Sequence, residues 1–202
     1  MSKYRINIYE KYVKRFLDLF LSLFGIIILF PVFLIISFFI YLDDPGPIFF
    51  TQKRVGKNKK LFNLHKFRSM KMSTPKNVPT HMLKNPKQYI TRVGHFIRNY
   101  SLDELPQLFD ILIGNMSIIG PRPALFNQYD LIEERDKYFA NDIKPGLTGW
   151  AQINGRDELP IDMKAKYDGE YAKNISFIFD LKCFFKTFKS VIIHEGYKEG
   201  SD

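Results

Sequence analysis

Between Leu19 and Leu42 the chain runs "LFLSLFGIIILFPVFLIISFFIYL" without one charged position. An α-helix of that length, at about 1.5 Å per residue, reaches across a bilayer. The run is too long for a cleaved leader, and "YLDDPGP" follows it instead of a small-residue cleavage site, so the segment is expected to be retained. Lys3, Arg5, Lys11, Lys14 and Arg15 precede it, while Lys53, Arg54, Lys57, Lys59 and Lys60 follow. Both flanks therefore carry the charge of a cytoplasmic end. Pro31 lies near the middle, where it removes a backbone hydrogen bond and bends a helix. Two paths satisfy these facts: a helix broken near Pro31 that enters and leaves by one face, and a single span that tolerates its proline. Asp18 is acceptable on either path if it stays at the interface.

A second apolar pattern closes the chain. In "ISFIFDLKCFFKTFKSVII", residues 175 to 193, helical spacing puts Lys182, Lys186 and Lys189 near one face and Phe177, Ile178, Leu181, Phe184, Phe185 and Phe188 on the others. That pattern suits an interfacial helix, or one packed on the core. Between these ends, "PIFFTQKRVG" and "KLFNLHKF" read as two short strands joined by a basic Gly-Lys-Asn turn. Residues 73 to 88 hold three prolines and little apolar content and read as a loop, with His81 lacking an identifiable partner. "TRVGHFIRNY", "SLDELPQLFDILIG", "LFNQYDLIEERDKYF" and "LPIDMKAKYDGEYAKN" each read as a helix. The expected fold class is α+β, mostly helical, with an anchor over residues 1–44 and a small domain over 45–202.

Length and charge narrow what this domain meets. A chain of 202 residues suits one domain with a real core. Its net charge of +9, with 20 Phe and 11 Tyr, fits anionic lipid, phosphorylated ligands or nucleic acid. No paired zinc ligands or aromatic RNP run support the last. The single cysteine, Cys183, excludes an internal disulfide, suits a reducing compartment, and is expected to pack in the core.

Three stretches carry candidate chemistry. In "SLDELPQLFDIL", Ser101 and Glu104 have the spacing of a capping box, and acids favour a first helical turn. The same stretch sets Asp103 beside Glu104 as a candidate reactive pair. In "SIIGPRP", Gly120, Pro121 and Pro123 bracket Arg122 and restrict the backbone that presents its guanidinium, a planar fork suited to phosphate. In "KPGLTGWAQINGR", Gly146, Gly149 and Gly155 permit tight turns ahead of Arg156.

Taken in this order behind a basic membrane anchor, the acid pair, the Pro-Arg-Pro turn and the Gly-Trp-Ala-Gln stretch resemble the bacterial sugar transferase family, the monotopic phosphoglycosyl transferases. "FTQKRVG" and "HKFRSM" extend the likeness, which runs from about Tyr9 to about Lys189. The resemblance implies transfer of a sugar 1-phosphate from a UDP-sugar to a polyprenyl (undecaprenyl) phosphate, with release of UMP, at the cytoplasmic face of the bacterial inner membrane. It implies a re-entrant first segment, ahead of a catalytic domain expected over 45–202 that ends in the helix with the interfacial pattern described above. It also implies Asp103 as a nucleophile that forms a covalent aspartyl phospho-sugar, and Glu104 as a holder of Mg²⁺. A carboxylate attacking phosphorus splits one hard transfer into two easier ones. Phosphoryl transfer then needs placement and charge neutralisation, with Arg122, Arg98 and Arg156 as candidates. Asp180 matches a family acid associated with the active site, with a structural hydrogen-bonding role as the alternative; Asp168 is a weaker candidate.

Several positions depart from the family pattern. Phe30-Pro31 stands where relatives often have Ser-Pro, Asn115 where they commonly have Asp, and Lys144 where they commonly have Arg. At the last the charge is kept and the planar fork is lost. The competing function is a non-enzymatic, basic membrane-bound module acting on anionic lipid, which leaves the motifs without a role. Cysteine labelling tests the re-entrant path: the N-terminus is expected to be reachable from the cytoplasmic side, and labelling only from outside refutes it.

Overall fold

A computed structural model of the chain describes residues 4–74, 86–155 and 158–193. The predicted loop is described only at its ends, and His81 and Arg156 fall outside these residues. A π-helical turn, Tyr9–Lys14, leads into α1, Arg15–Asp43. Together they form one helix long and apolar enough to cross a membrane, the only such helix among the described residues. The expected break near Pro31 is not an end to the helix: α1 runs through it. Pro31 removes one donor, while Phe33, Ile36 and Ile40 beyond it are buried and hold the following turns in place.

One stripe of α1 faces the domain, and the rest is open. Phe33, Ile36 and Ile40 pack with Phe67 and Ile97, and Ile26 and Leu29 lie against Leu64, Leu108, Ile111 and Met116. Ile27, Ile28, Leu34, Ile35, Phe38 and Phe39 are all more than half exposed. An apolar surface of this extent on a folded domain marks contact with lipid.

The domain hangs on polar ties at both ends of this helix. At the start, Asp18 Oδ1 accepts from Ser117 Oγ at 3.0 Å and from the Ile118 N–H at 2.9 Å. Arg15 donates to the carbonyls of Ile111 and Leu112, and so caps the helix that ends there. At the other end, Asp43 accepts from the Val93 N–H at 2.8 Å, and Asp44 accepts from Arg68 and from the Met72 N–H.

The predicted hairpin is present as β1, Phe49–Val55, and β2, Leu61–Phe67, antiparallel with Phe49 opposite Phe67 and Val55 opposite Leu61. Its turn places Asn58 and Lys59 at positive φ. α2, Arg92–Asn99, is capped by Thr91, whose hydroxyl accepts from the Gly94 N–H at 2.8 Å. α3, Gln107–Ile113, starts after Pro106 and ends at Gly114, whose φ of 96° suits a residue without Cβ. The capping box is overturned: Ser101 is left-handed at φ 55°, makes no side-chain cap, and precedes a separate 3₁₀ turn, Leu102–Glu104.

A parallel pair replaces what the glycines and prolines suggested was turn alone. β3, Ser117–Ile119, lies beside β4, Gly146–Thr148, with Ser117 opposite Gly146. A Cβ on Gly146 would strike the Gly120 backbone, so the close approach needs glycine. The predicted helices follow as α4, Tyr129–Asp136, shorter than its amphipathic run, then α5, Ile161–Lys173, and α6, Phe177–Ile193. α6 seats buried Cys183 in a core with Ile119, Ile143, Trp150 and Tyr171, as expected of that thiol, and burial pushes its pKa up to about 12. Lys182 and Lys186 lie over the Trp150 ring, while Ile178, Leu181 and Phe185 stay exposed.

Asp168 on α5 is structural in this fold. Its carboxylate accepts from Arg135 Nε at 2.8 Å and Nη2 at 2.6 Å, joining α4 to α5 in a buried pair. Asp168→Ala is expected to cost about 3–5 kcal/mol by leaving Arg135 buried and unpaired. Thermal unfolding of the detergent-solubilised protein checks this, with Arg135→Met/Asp168→Leu expected to regain most of the loss.

Candidate active site

The 3₁₀ turn after Ser101 directs both acids inward. Its left-handed start reverses the chain after α2, and the Glu104 N–H bonds the Ser101 carbonyl at 3.2 Å. Glu104 is buried, and its Oε1 accepts from Lys66 Nζ at 2.7 Å and from Arg122 Nη2 at 2.7 Å. Arg122 Nη1 reaches Oε2 at 3.3 Å. Lys66 Nζ also stands 3.7 Å from Asp103 Oδ2, outside hydrogen-bond reach.

The two neighbouring carboxyls are driven apart in acidity. Burial opposes the charged form of Glu104, but Arg122 and Lys66 outweigh it and hold its carboxyl well below the ordinary range. For Asp103 burial dominates and raises the pKa; Lys66 lowers it, Glu104 raises it further, and Arg98 and Arg122 lower it. Paired groups separated in this way mark divided roles in a reactive site.

Arg122 is presented by the turn after β3, and Arg54 supports that turn from β1. Arg54 Nη1 donates to the Pro123 carbonyl at 3.0 Å and Nη2 to Gln52 Oε1 at 2.8 Å, while the Val55 N–H bonds the Ala124 carbonyl at 2.9 Å. Burial first and then Arg122 lower the Arg54 pKa to about 10. Its Nε is buried without a partner. One guanidinium and one ammonium share the Glu104 carboxylate, with the Arg54 guanidinium behind the Arg122 turn, and together they leave positive charge for an incoming anion.

The structure therefore brings together Asp103, Glu104 and Arg122, with Arg98 acting on Asp103 from the last turn of α2. Asp180 belongs to another cluster: its carboxylate accepts from Tyr9 Oη and Lys14 Nζ at 2.7 Å each and from Tyr171 Oη at 2.6 Å, tying α6 to the helix before α1. Lys66 and Arg54 were missed as individual site residues, although both lie in stretches quoted for the family likeness. Strand alternation carries the signal, because Arg54 pairs opposite Phe62 and Lys66 opposite Phe50, which puts both cations on one face of the hairpin.

For a metal, the described residues hold no group of three or more His, Cys, Asp or Glu side chains. Glu104, with Asp103 beside it, offers the kind of oxygen Mg²⁺ takes, one or two carboxylates with water and substrate phosphate completing the shell, although both Glu104 oxygens here accept from Lys66 and Arg122.

Fold and site define a membrane-associated domain whose buried acid pair is ringed by cations suited to an anionic ligand. Residues 9–194 match the model of the bacterial sugar transferase family, and the chain belongs to that family. It is 37% identical over 192 residues to the uncharacterized sugar transferase EpsL of Bacillus subtilis, covering 93% of this chain and 91% of that one. It is 38% identical to the UDP-glucose:undecaprenyl-phosphate glucose-1-phosphate transferase of Escherichia coli and 35% to the undecaprenyl-phosphate galactose phosphotransferase of Salmonella typhimurium. Each match covers 93% of this chain and 42% of the longer relative.

A nucleophilic role for Asp103, as the sequence resemblance implies, requires its carboxylate form; with its pKa raised, activity is then expected to fall on the acid side above the ordinary aspartate value of about 3.9. Lys66→Met removes a cation that favours the charged form, so the acid limb should move to higher pH. A pH profile of kcat/KM for the sugar donor checks both.

Proposed function

We propose that this protein transfers a sugar 1-phosphate from a UDP-sugar to a polyprenyl phosphate at the cytoplasmic face of the bacterial inner membrane. The observation that carries the reading is the acid pair itself: Asp103 is held beside a Glu104 locked between Lys66 and Arg122. The names of the Escherichia coli and Salmonella relatives supply the class of acceptor and donor. A basic module that only touches lipid gives no reason to bury two adjacent carboxylates among cations.

In this mechanism Asp103 attacks the β-phosphorus of the donor. The Asp103–phosphorus bond forms as the bond to the UMP oxygen breaks, and UMP leaves with that electron pair. An oxygen of the polyprenyl phosphate then attacks the same phosphorus, and the aspartyl oxygen departs as a carboxylate. Arg122, fixed between prolines, grips the phosphate, while Lys66 and Arg98 offset charge near Asp103. Glu104 would hold Mg²⁺, which when bound supplies further neutralisation of phosphate charge. Arg156 is a further candidate for phosphate binding.

The re-entrant, monotopic path of α1 belongs to the same proposal. One folded domain is tied both to Asp18 at the start of the apolar run and to Asp43 and Asp44 at its end. A helix that crossed the bilayer would carry part of this polar domain into lipid. Entry and exit by one face keep the domain at the headgroups, with the exposed face of α6 lying on the interface.

Asp103→Asn is expected to abolish UMP release by about 1,000-fold or more, together with any covalent sugar-phosphate adduct. A UMP-release assay over a panel of UDP-sugars, with short polyprenyl phosphate and with or without Mg²⁺, checks this and identifies the donor. Full activity of the variant refutes Asp103 as nucleophile.

A further inference from the structure

A second basic cleft lies apart from the acid pair. It has a volume of about 180 Å³ and sits between the helix entering α1, the turn of the hairpin, β3 and the chain before β4. Its lining includes Lys11, Lys14, Arg15, Lys57 and Lys144 against only two carboxylates, Glu10 and Asp18. None of Asp103, Glu104, Lys66, Arg54, Arg98 or Arg122 lines it.

The pairing of these charges is incomplete. Lys14 is paired with Asp180 at 2.7 Å and Lys57 with Glu10 at 3.4 Å. Asp18 is engaged by Ser117 and the Ile118 N–H. Arg15 donates only to the neutral carbonyls of Ile111 and Leu112, and Lys11 lies over the Tyr12 ring. Among the described residues no carboxylate comes within ion-pair distance of Lys11, Arg15 or Lys144.

Arg15 and Lys144 also converge. A Cβ on Gly114 would stand 3.2 Å from Arg15 Nη2 and 3.7 Å from Lys144 Nζ, so both cations point to one spot beside the end of α3. Burial and then the nearness of Arg15 depress the Lys144 pKa, the mark of a cation held against another cation. Like charges kept together in a half-buried cleft are relieved by an anion, and phosphate oxygens accept from guanidinium and ammonium together.

Location selects the source of that phosphate. Lys11, Lys14 and Arg15 stand immediately ahead of the apolar run, at the depth where lipid headgroups lie once α1 is in the bilayer. We propose that this cleft binds the phosphate of an anionic phospholipid headgroup, with Lys144, Arg15 and Lys11 as its donors. The site would fix the height and rotation of the anchor relative to β3, and thereby of the turn that carries Arg122. It rests on the membrane-anchored reading of α1 given above.

Native mass spectrometry of the full chain in detergent, titrated with phosphatidylglycerol or phosphatidylcholine, tests the site. We expect a saturable phosphatidylglycerol adduct and no equivalent phosphatidylcholine adduct. Lys144→Met should weaken the adduct about tenfold or more, the loss of one charge-assisted hydrogen bond, while Lys144→Arg should retain it. Circular dichroism melting confirms that both variants are folded. Equal phosphatidylglycerol affinity for wild type and Lys144→Met overturns the proposal while leaving the membrane reading intact. Failure to take up either lipid, with solubility in the absence of detergent, overturns the membrane reading and the proposal with it. Inorganic phosphate binding more tightly than phosphatidylglycerol, in a Lys144-dependent way, overturns the lipid as source.

Discussion

A carboxylate as deeply buried as that of Glu104 stays ionised only if cations are brought to it, and here they come from two distant parts of the chain. Lys66 arrives on β2, and Arg122 on the turn after β3. Removing either would leave charge buried with less compensation, which is strongly unfavourable. The clamp therefore holds the hairpin, the 3₁₀ turn and the Pro-Arg-Pro turn in one arrangement. It also engages much of the available positive charge, so that neighbouring Asp103 is less fully balanced and its pKa is raised. The difference between the two acids follows from which one receives the hydrogen bonds.

The anchor is bound to this site by a short physical path. Asp18 of α1 holds Ser117 and Ile118 of β3, and β3 leads within a few residues to Arg122. In lipid an apolar helix face gains little hydrophobic stabilisation by turning toward protein instead of acyl chains. Polar ties at Arg15, Asp18, Asp43 and Asp44 consequently matter more for seating the domain than the area of contact would suggest. Asp180 adds a further tie through Tyr9 and Lys14, which explains a half-buried acid on an otherwise amphipathic helix.

The parts that could be read along the chain are those governed by local periodicity. The apolar run, the hairpin, α2 and α5 follow from alternation or helical spacing, and the acid pair and the Pro-Arg-Pro turn from their residue types. Ser101 and Glu104 show the limit of that reasoning. Their spacing satisfies a capping box, yet a left-handed Ser101 and two cations across the fold draw Glu104 away from the backbone. β3 and β4 were not legible either, because three residues are too few to display a period and their pairing joins positions far apart in sequence. Asp180 and Asp168 could be nominated but not placed, since each is defined by partners on other elements.

The sequence by itself determined that this protein is a basic, membrane-associated α+β domain of the bacterial sugar transferase family, and it nominated Asp103, Glu104 and Arg122 as candidates for its site. Hydropathy, strand alternation and motif order are local properties, so they survive in one dimension. Only the tertiary structure decided that Lys66 and Arg54 join the site, that Asp180 belongs to the anchor, and that Lys144 converges with Arg15 on a separate cleft. Those outcomes depend on which charges are buried together, and the balance of desolvation against pairing exists only after the chain has folded.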